Sequence, residues 1–104
     1  MTVQELKERI DREDAFRLID VREKDEWELC HLADAELIPL SNWDARWEIA
    51  FRDSGEDIVV YCHHGGRSGS VVKFLESEGF TNVKNLEGGI DAWSRWIDPE
   101  VPRY

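Results

Sequence analysis

A chain of 104 residues with 41% hydrophobic residues and five Trp has the material for one folded core, residues 1–104, in the size range where single domains are common. Its net charge of −10 excludes nucleic acid or an anionic membrane surface as the main partner, and opposes any anionic substrate at long range. The longest apolar run, Ile58 to Cys62, falls far short of the roughly 20 residues that span a bilayer. The opening MTVQELKERI mixes charges into an amphipathic pattern and is no secretory leader. Two cysteines make no disulfide framework, so a cytoplasmic protein with reduced thiols is expected.

Thr2 followed three residues later by Glu5 has the form of a capping box, and opens a helix with Val3, Leu6 and Ile10 on one face. Ala15 to Val21 (AFRLIDV) reads as a strand, and the acidic EKDEWEL after it as a short helix or helical turn. Glu36 to Leu40 (ELIPL) reads as a second strand. Ser41 is placed to cap the next helix, where Trp43 and Trp47 lie one turn apart. Ile58 to Tyr61 (IVVY) is β-branched and continuously apolar, the pattern of a strand covered on both faces. The loop CHHGGR leads into a helix from about Ser68 to Glu78, with Val71, Val72 and Leu75 inward and Gly79 as its stop. Thr81 to Asn85 reads as a last short strand. Gly88-Gly89 then precede a helix carrying Ile90, Trp93 and Trp96 as core and edge anchors, and a tail with two prolines runs irregularly over the surface. Strands alternating with helices imply an α/β domain of parallel strands and right-handed crossovers, with its site beyond the carboxyl ends of the strands. Cys62 sits at one of those ends.

A cysteine at a strand end is usually inert packing. What singles out Cys62 is its company within seven residues: a Gly65-Gly66 turn able to curl with φ > 0, a basic residue at Arg67 and a helix start. Successive loop amides and the unpaired N–H groups of the helix can then converge on one sulfur. Bringing a free thiol from a pKa of roughly 8.5 below 7 takes about 2 kcal/mol. A helix N-terminus typically supplies about 0.3–1 kcal/mol. Loop hydrogen bonds and the charge of Arg67 therefore have to contribute the rest. From Ile58 to Leu75 there is no acidic residue, whereas Arg67, Lys73, His63 and His64 fall within it. This predicts an electropositive mouth that focuses an anion locally, with His63 and His64 lending partial positive charge.

The chain resembles the single-domain rhodanese (thiosulfate sulfurtransferase) family along nearly its whole length. LIDVREKDEW with His31 after it, ELIPLSNW, VVYCHHGGRS and NLEGGIDAW are similar, in that order, to the family's successive motifs. The ending IDPEVPRY is similar to the C-terminus of rhodanese domains fused to adenylyltransferases of sulfur-carrier pathways. The resemblance implies a three-layer α/β domain with a central five-stranded parallel sheet flanked by helices, and no cofactor. It implies that Cys62 takes sulfane sulfur from thiosulfate or polysulfide as a persulfide. Cyanide or a thiol, including a protein thiol or sulfur carrier, then accepts it. By the same resemblance His63, His64, Gly65, Gly66, Arg67 and Ser68 bind the donor and cradle the persulfide, Arg67 meets the anionic donor, and Asp20 supports the loop. One departure is the segment EKDEWELCHLADAEL, which lacks the Gly-rich, Pro-containing turn usual after the histidine.

Three other readings compete. Cysteine phosphatases separate Cys and Arg by five residues to surround a tetrahedral phosphate, whereas four separate Cys62 from Arg67, a ring suited to one sulfur atom. Non-catalytic rhodanese-like binding modules often lack the cysteine that this chain keeps, although a persulfide carrier docking to a partner protein would have the same sequence. Metal binding by Cys30-His31 with Cys62-His63-His64 is disfavoured, because adjacent residues rarely ligate one ion comfortably. His31 and Cys30 are read as structural; Cys30 could resolve a persulfide on Cys62 only if the two came within reach.

Overall fold

A computed structural model describes residues 1–104. Helix α1, Val3–Asp11, starts at Thr2, whose side chain accepts from the Glu5 amide while Glu5 reaches back to the Thr2 amide, the expected capping box. Val3 and Leu6 are buried, but Ile10 in the last turn is exposed. The remaining elements are β1 (Arg17–Asp20), α2 (Lys24–Leu29), β2 (Glu36–Leu37), a 3-10 turn (Leu40–Asn42), α3 (Trp43–Ala50), β3 (Ile58–Tyr61), α4 (Gly66–Ser77), β4 (Val83–Asn85) and α5 (Gly89–Trp96).

All strands are parallel, in the order β2-β1-β3-β4. The sheet therefore has four strands where five were expected. Beyond β4 the next backbone to pair is Met1 alone, whose amine donates to the Asn85 carbonyl and whose own carbonyl accepts from Glu87 N. Helix α1 begins two residues later, at Val3. Strand β2 is shorter than expected, covering Glu36–Leu37 only. The pairing fades out through Ile38 N to Asp20 O and Leu40 N to Val21 O.

Strand β3 is central and fully buried, and its alternating side chains divide the core into two layers. Ile58, Val60 and Cys62 pack with Trp43, Phe51, Val71, Val72 and Leu75, beneath α3 and α4. Val59 and Tyr61 pack with Val3, Leu6, Leu86, Ile90 and Trp93, beneath α1 and α5. Each fully buried aliphatic side chain contributes about 1.5–3 kcal/mol, so a polar residue within β3 would remove support from both layers at once. Trp43 is a core anchor, in edge contact with Phe74. Trp96 is not: it closes the last turn of α5 and is 68% exposed.

Ser41 does not cap α3. It lies inside the 3-10 turn, Asn42 takes the cap position without a side-chain bond, and the Ser41 hydroxyl donates to Glu23 instead. Helix α4 ends as expected, with Gly79 at φ +94° and Phe80 N returning to the Leu75 carbonyl. No helix is long and apolar enough to cross a membrane.

Candidate functional site

The carboxyl end of β3 delivers Cys62, 1% exposed, into the turn that opens α4. Gly65 adopts φ +112°, a conformation costly for any residue with a Cβ, and this turns its amide back onto the sulfur. Gly65 N donates to Sγ at 3.1 Å, Ser68 N at 3.4 Å and the Ser68 hydroxyl at 3.2 Å. Burial pushes the Cys62 thiol up, but the Ser68 hydroxyl and the amides of Ser68, Gly65 and His64 outweigh it and hold the thiol below its ordinary value. The expected ring of loop donors is therefore present.

The ring is clamped from behind. Gly69 N donates to the Gly65 carbonyl at 3.0 Å, and the Asn85 amide donates to the same carbonyl at 3.1 Å while its oxygen takes the Ser68 hydroxyl at 2.6 Å. Helix α5 turns its own first amides onto the loop: Ile90 N donates to Cys62 O at 2.9 Å and Asp91 N to His63 O at 3.0 Å. Gly89, at φ +60°, makes this approach possible, since a Cβ there would lie 2.5 Å from the His63 carbonyl oxygen.

Arg67 has a different partner from the one expected. Its guanidinium makes a two-pronged pair with Glu26 of α2, at 2.7 and 2.9 Å. The Arg67 hydrogen bonds hold the Glu26 carboxyl down to about 2, against the effect of burial, and Glu26 in turn raises the Arg67 pKa. Tyr104 donates its hydroxyl to Glu26 Oε2 at 2.6 Å and accepts from Arg22 Nη1 at 2.9 Å. Its ring stacks on His63, centroids 3.8 Å apart and 6° from parallel. The stretch free of acids along the chain is thus not free of them in space, because α2 returns a carboxylate to the mouth.

Asp20 supports the site indirectly. Its carboxylate receives the backbone N, Nε and Nη2 of Arg22, and both side chains are fully buried. Arg22 then reaches the carbonyls of Glu26 and Cys30 as well as Tyr104. Asp20 therefore holds α2 and the tail through Arg22, with no bond of its own to the loop 62–68.

His63 departs from its expected role. Burial, then the neighbouring His64, push its pKa down and so disfavour its charged form; its Nε2 is buried without a partner. His64 is exposed and lies 3.9 Å from Asp91, which Arg103 holds at 3.0 Å. Ligand-type atoms of His63, His64 and Asp91 lie within 4.8 Å of one another, a grouping that includes neither cysteine. His31 stacks on Trp27 and bonds its carbonyl, consistent with a structural role. Cys30 and Cys62 are both free thiols. A cavity of about 680 Å³ is lined by Phe16, Leu32 and Trp93 among others and by no residue of the loop 62–68.

Sequence reasoning missed Glu26, Tyr104, Arg22, Asn85 and Gly89. Three of these carried a local signal: a glycine of the pair before the last helix, an aromatic in a polar, proline-containing tail, and a polar residue closing a short strand.

The Rhodanese-like domain family model matches residues 2–95. The chain is 33% identical over its whole length to the "Probable adenylyltransferase/sulfurtransferase MoeZ" of Mycobacterium tuberculosis, of which it covers 26%. It is 40% identical over 94 residues to the "Rhodanese-like/PpiC domain-containing protein 12, chloroplastic" of Arabidopsis thaliana, covering 88% of this chain and 31% of that protein. The chain thus spans roughly a quarter to a third of the length of these relatives. Among solved structures, a rhodanese-related protein from Thermoplasma volcanium superposes with a TM-score of 0.82 at 34% identity, covering 100% of this chain and 97% of that one. A rhodanese-like domain protein from Staphylococcus aureus gives 0.82 at 29% identity, covering 100% and 96%.

Proposed function

The chain belongs to the rhodanese-like domain family, and on that premise we propose that it transfers sulfane sulfur through a persulfide on Cys62. The donor is thiosulfate or polysulfide, the acceptor cyanide or a thiol, and the compartment the reducing cytoplasm. One observation carries this reading: three donors, Gly65 N, Ser68 N and Ser68 Oγ, converge on a sulfur that is buried yet whose thiol pKa is held below its ordinary value. In the first step the Cys62 thiolate attacks the outer sulfur of the donor. A sulfur–sulfur bond forms at Cys62, the donor's own bond to that sulfur breaks, and its electron pair leaves with sulfite or with the polysulfide shortened by one sulfur. In the second step the acceptor attacks the outer sulfur and the Cys62 thiolate is restored. The amides of Gly65 and Ser68 supply fixed dipoles throughout and need no reorganisation.

The likeness to a named adenylyltransferase/sulfurtransferase supports a protein sulfur carrier as one acceptor. Mass spectrometry after treatment with thiosulfate or polysulfide is expected to show a species one sulfur heavier, absent in Cys62→Ala. Thiocyanate formation by Cys62→Ala at the wild-type rate would refute the mechanism.

A further inference from the structure

Arg67 is the cation nearest in sequence to Cys62, yet the geometry commits it elsewhere. Glu26 meets it through two hydrogen bonds, with the Glu26 side chain only 16% exposed. The Tyr104 hydroxyl holds the same carboxylate, and Arg22 holds that hydroxyl. Among the other charges around the mouth, Arg22 is paired with Asp20 and Arg103 with Asp91, which Arg95 approaches at 3.9 Å. His63 is stacked under Tyr104, and burial disfavours its charged form. With its guanidinium engaged by Glu26, Arg67 is not free to face an incoming anion, within a domain of net charge −10.

Donors differ in what they require of such a site. Thiosulfate is a dianion, and when the Cys62 thiolate attacks its outer sulfur the reacting atoms together carry three negative charges, two of which leave on sulfite. An organic persulfide, R–S–SH, reacts with one: the Cys62–S–S bond forms, the R–S bond to the outer sulfur breaks, and the electron pair departs as R–S⁻. Charge repulsion in a partly dehydrated site penalises the first reaction far more than the second unless a free cation faces it.

We propose that Glu26, held by Tyr104, is a specificity-determining residue of the Cys62 site: by occupying Arg67 it disfavours dianionic donors such as thiosulfate and matches the site to organic persulfides. This rests on the persulfide mechanism proposed above and adds organic persulfides to its donors, in preference to thiosulfate. Tyr104 acts through Glu26 and is a positioning residue.

The test uses the full chain as wild type, Glu26→Gln, Tyr104→Phe and the double variant. Thiocyanate formation is followed with thiosulfate and with N-acetylcysteine persulfide, cyanide being the acceptor in both. Glutamine retains an acceptor for Arg67 and Tyr104 but removes the charge. The ratio of kcat/KM for thiosulfate to that for the persulfide is expected to rise about tenfold in Glu26→Gln, the scale of one unmatched charge near the reacting atoms. Tyr104→Phe is expected to raise it about threefold by loosening Glu26, and the double variant to match Glu26→Gln. A ratio that stays level or falls in Glu26→Gln overturns the proposal, as does a double variant in which the two effects multiply. Should Glu26→Gln fail to fold, the Tyr104→Phe ratio decides alone. If neither donor places sulfur on wild-type Cys62, the underlying mechanism fails too; if both do and the ratios do not move, only the role of Glu26 fails.

Discussion

The Ser68 hydroxyl lies 3.2 Å from the Cys62 sulfur and 2.6 Å from Asn85 Oδ1, and it has one proton to give. While Cys62 is a thiol, that proton can serve Asn85 and the S–H can point to the hydroxyl oxygen. Once Cys62 ionises, the hydroxyl turns to the sulfur and Asn85 loses its donor. A hydrogen bond to a charged group is worth about 1.5–3 kcal/mol and a neutral one about 1 kcal/mol. The exchange therefore favours the thiolate by about 1 kcal/mol, or about 0.7 of a pKa unit at 1.36 kcal/mol per unit. Ser68→Ala should raise the Cys62 pKa by about 0.5–1 unit and no more, because the amides of Gly65 and residue 68 remain. The assay is the pH dependence of Cys62 alkylation by iodoacetamide in a Cys30→Ser background. A midpoint that stays put or moves down would refute the reasoning. The sign for stability follows from the same shift. The fold holds the thiol below its ordinary value, so the added stability is complete above that value and disappears as pH falls through the folded value. Ser68→Ala should narrow that window.

Gly89→Ala should destabilise by about 3 kcal/mol, combining a left-handed backbone with a Cβ driven to 2.5 Å from the His63 carbonyl oxygen. Gly66→Ala, whose Cβ would meet nothing within 4 Å, should change thermal stability little; equal effects from the two would contradict the packing account. Asp20→Asn leaves the buried Arg22 guanidinium without its counter-charge and should cost about 3–5 kcal/mol in urea unfolding. A loss under about 1 kcal/mol would mean that Arg22 finds another anion or water.

Local chemistry made much of this legible from sequence. The Thr2–Glu5 box and the Ile58–Tyr61 strand follow from side chains within a few residues of one another, and the structure places both at their expected bounds. The donor ring around Cys62 was readable for the same reason, since Gly65 and Ser68 are three and six residues away. What escaped were long-range encounters. Glu26 meets Arg67 across 41 residues and Tyr104 meets Arg22 across 82, and no local pattern encodes either. The missing acids from Ile58 to Leu75 suggested an electropositive mouth only because a one-dimensional window cannot see α2 folding back. Ser41 misled for a related reason: its hydroxyl had a choice between capping α3 and bonding Glu23, which lies 18 residues away. Trp96 follows Trp93 at helical spacing, yet the helix ends there and the ring projects from the core.

The grip of α5 on the carbonyls of Cys62 and His63 has a consequence for what the loop can become. With those oxygens and that of Gly65 each tied to α4, α5 or Asn85, the loop is fastened at both ends to rigid elements. Its diameter is therefore fixed by the count of residues between the fastenings and is insensitive to which side chains they carry. Exchanging His63 or His64 for other residues could retune charge and polarity, but widening the ring for a larger oxyanion would take an inserted residue. On this scaffold, point substitutions explore sulfur donors, and only a change in chain length would open it to phosphate.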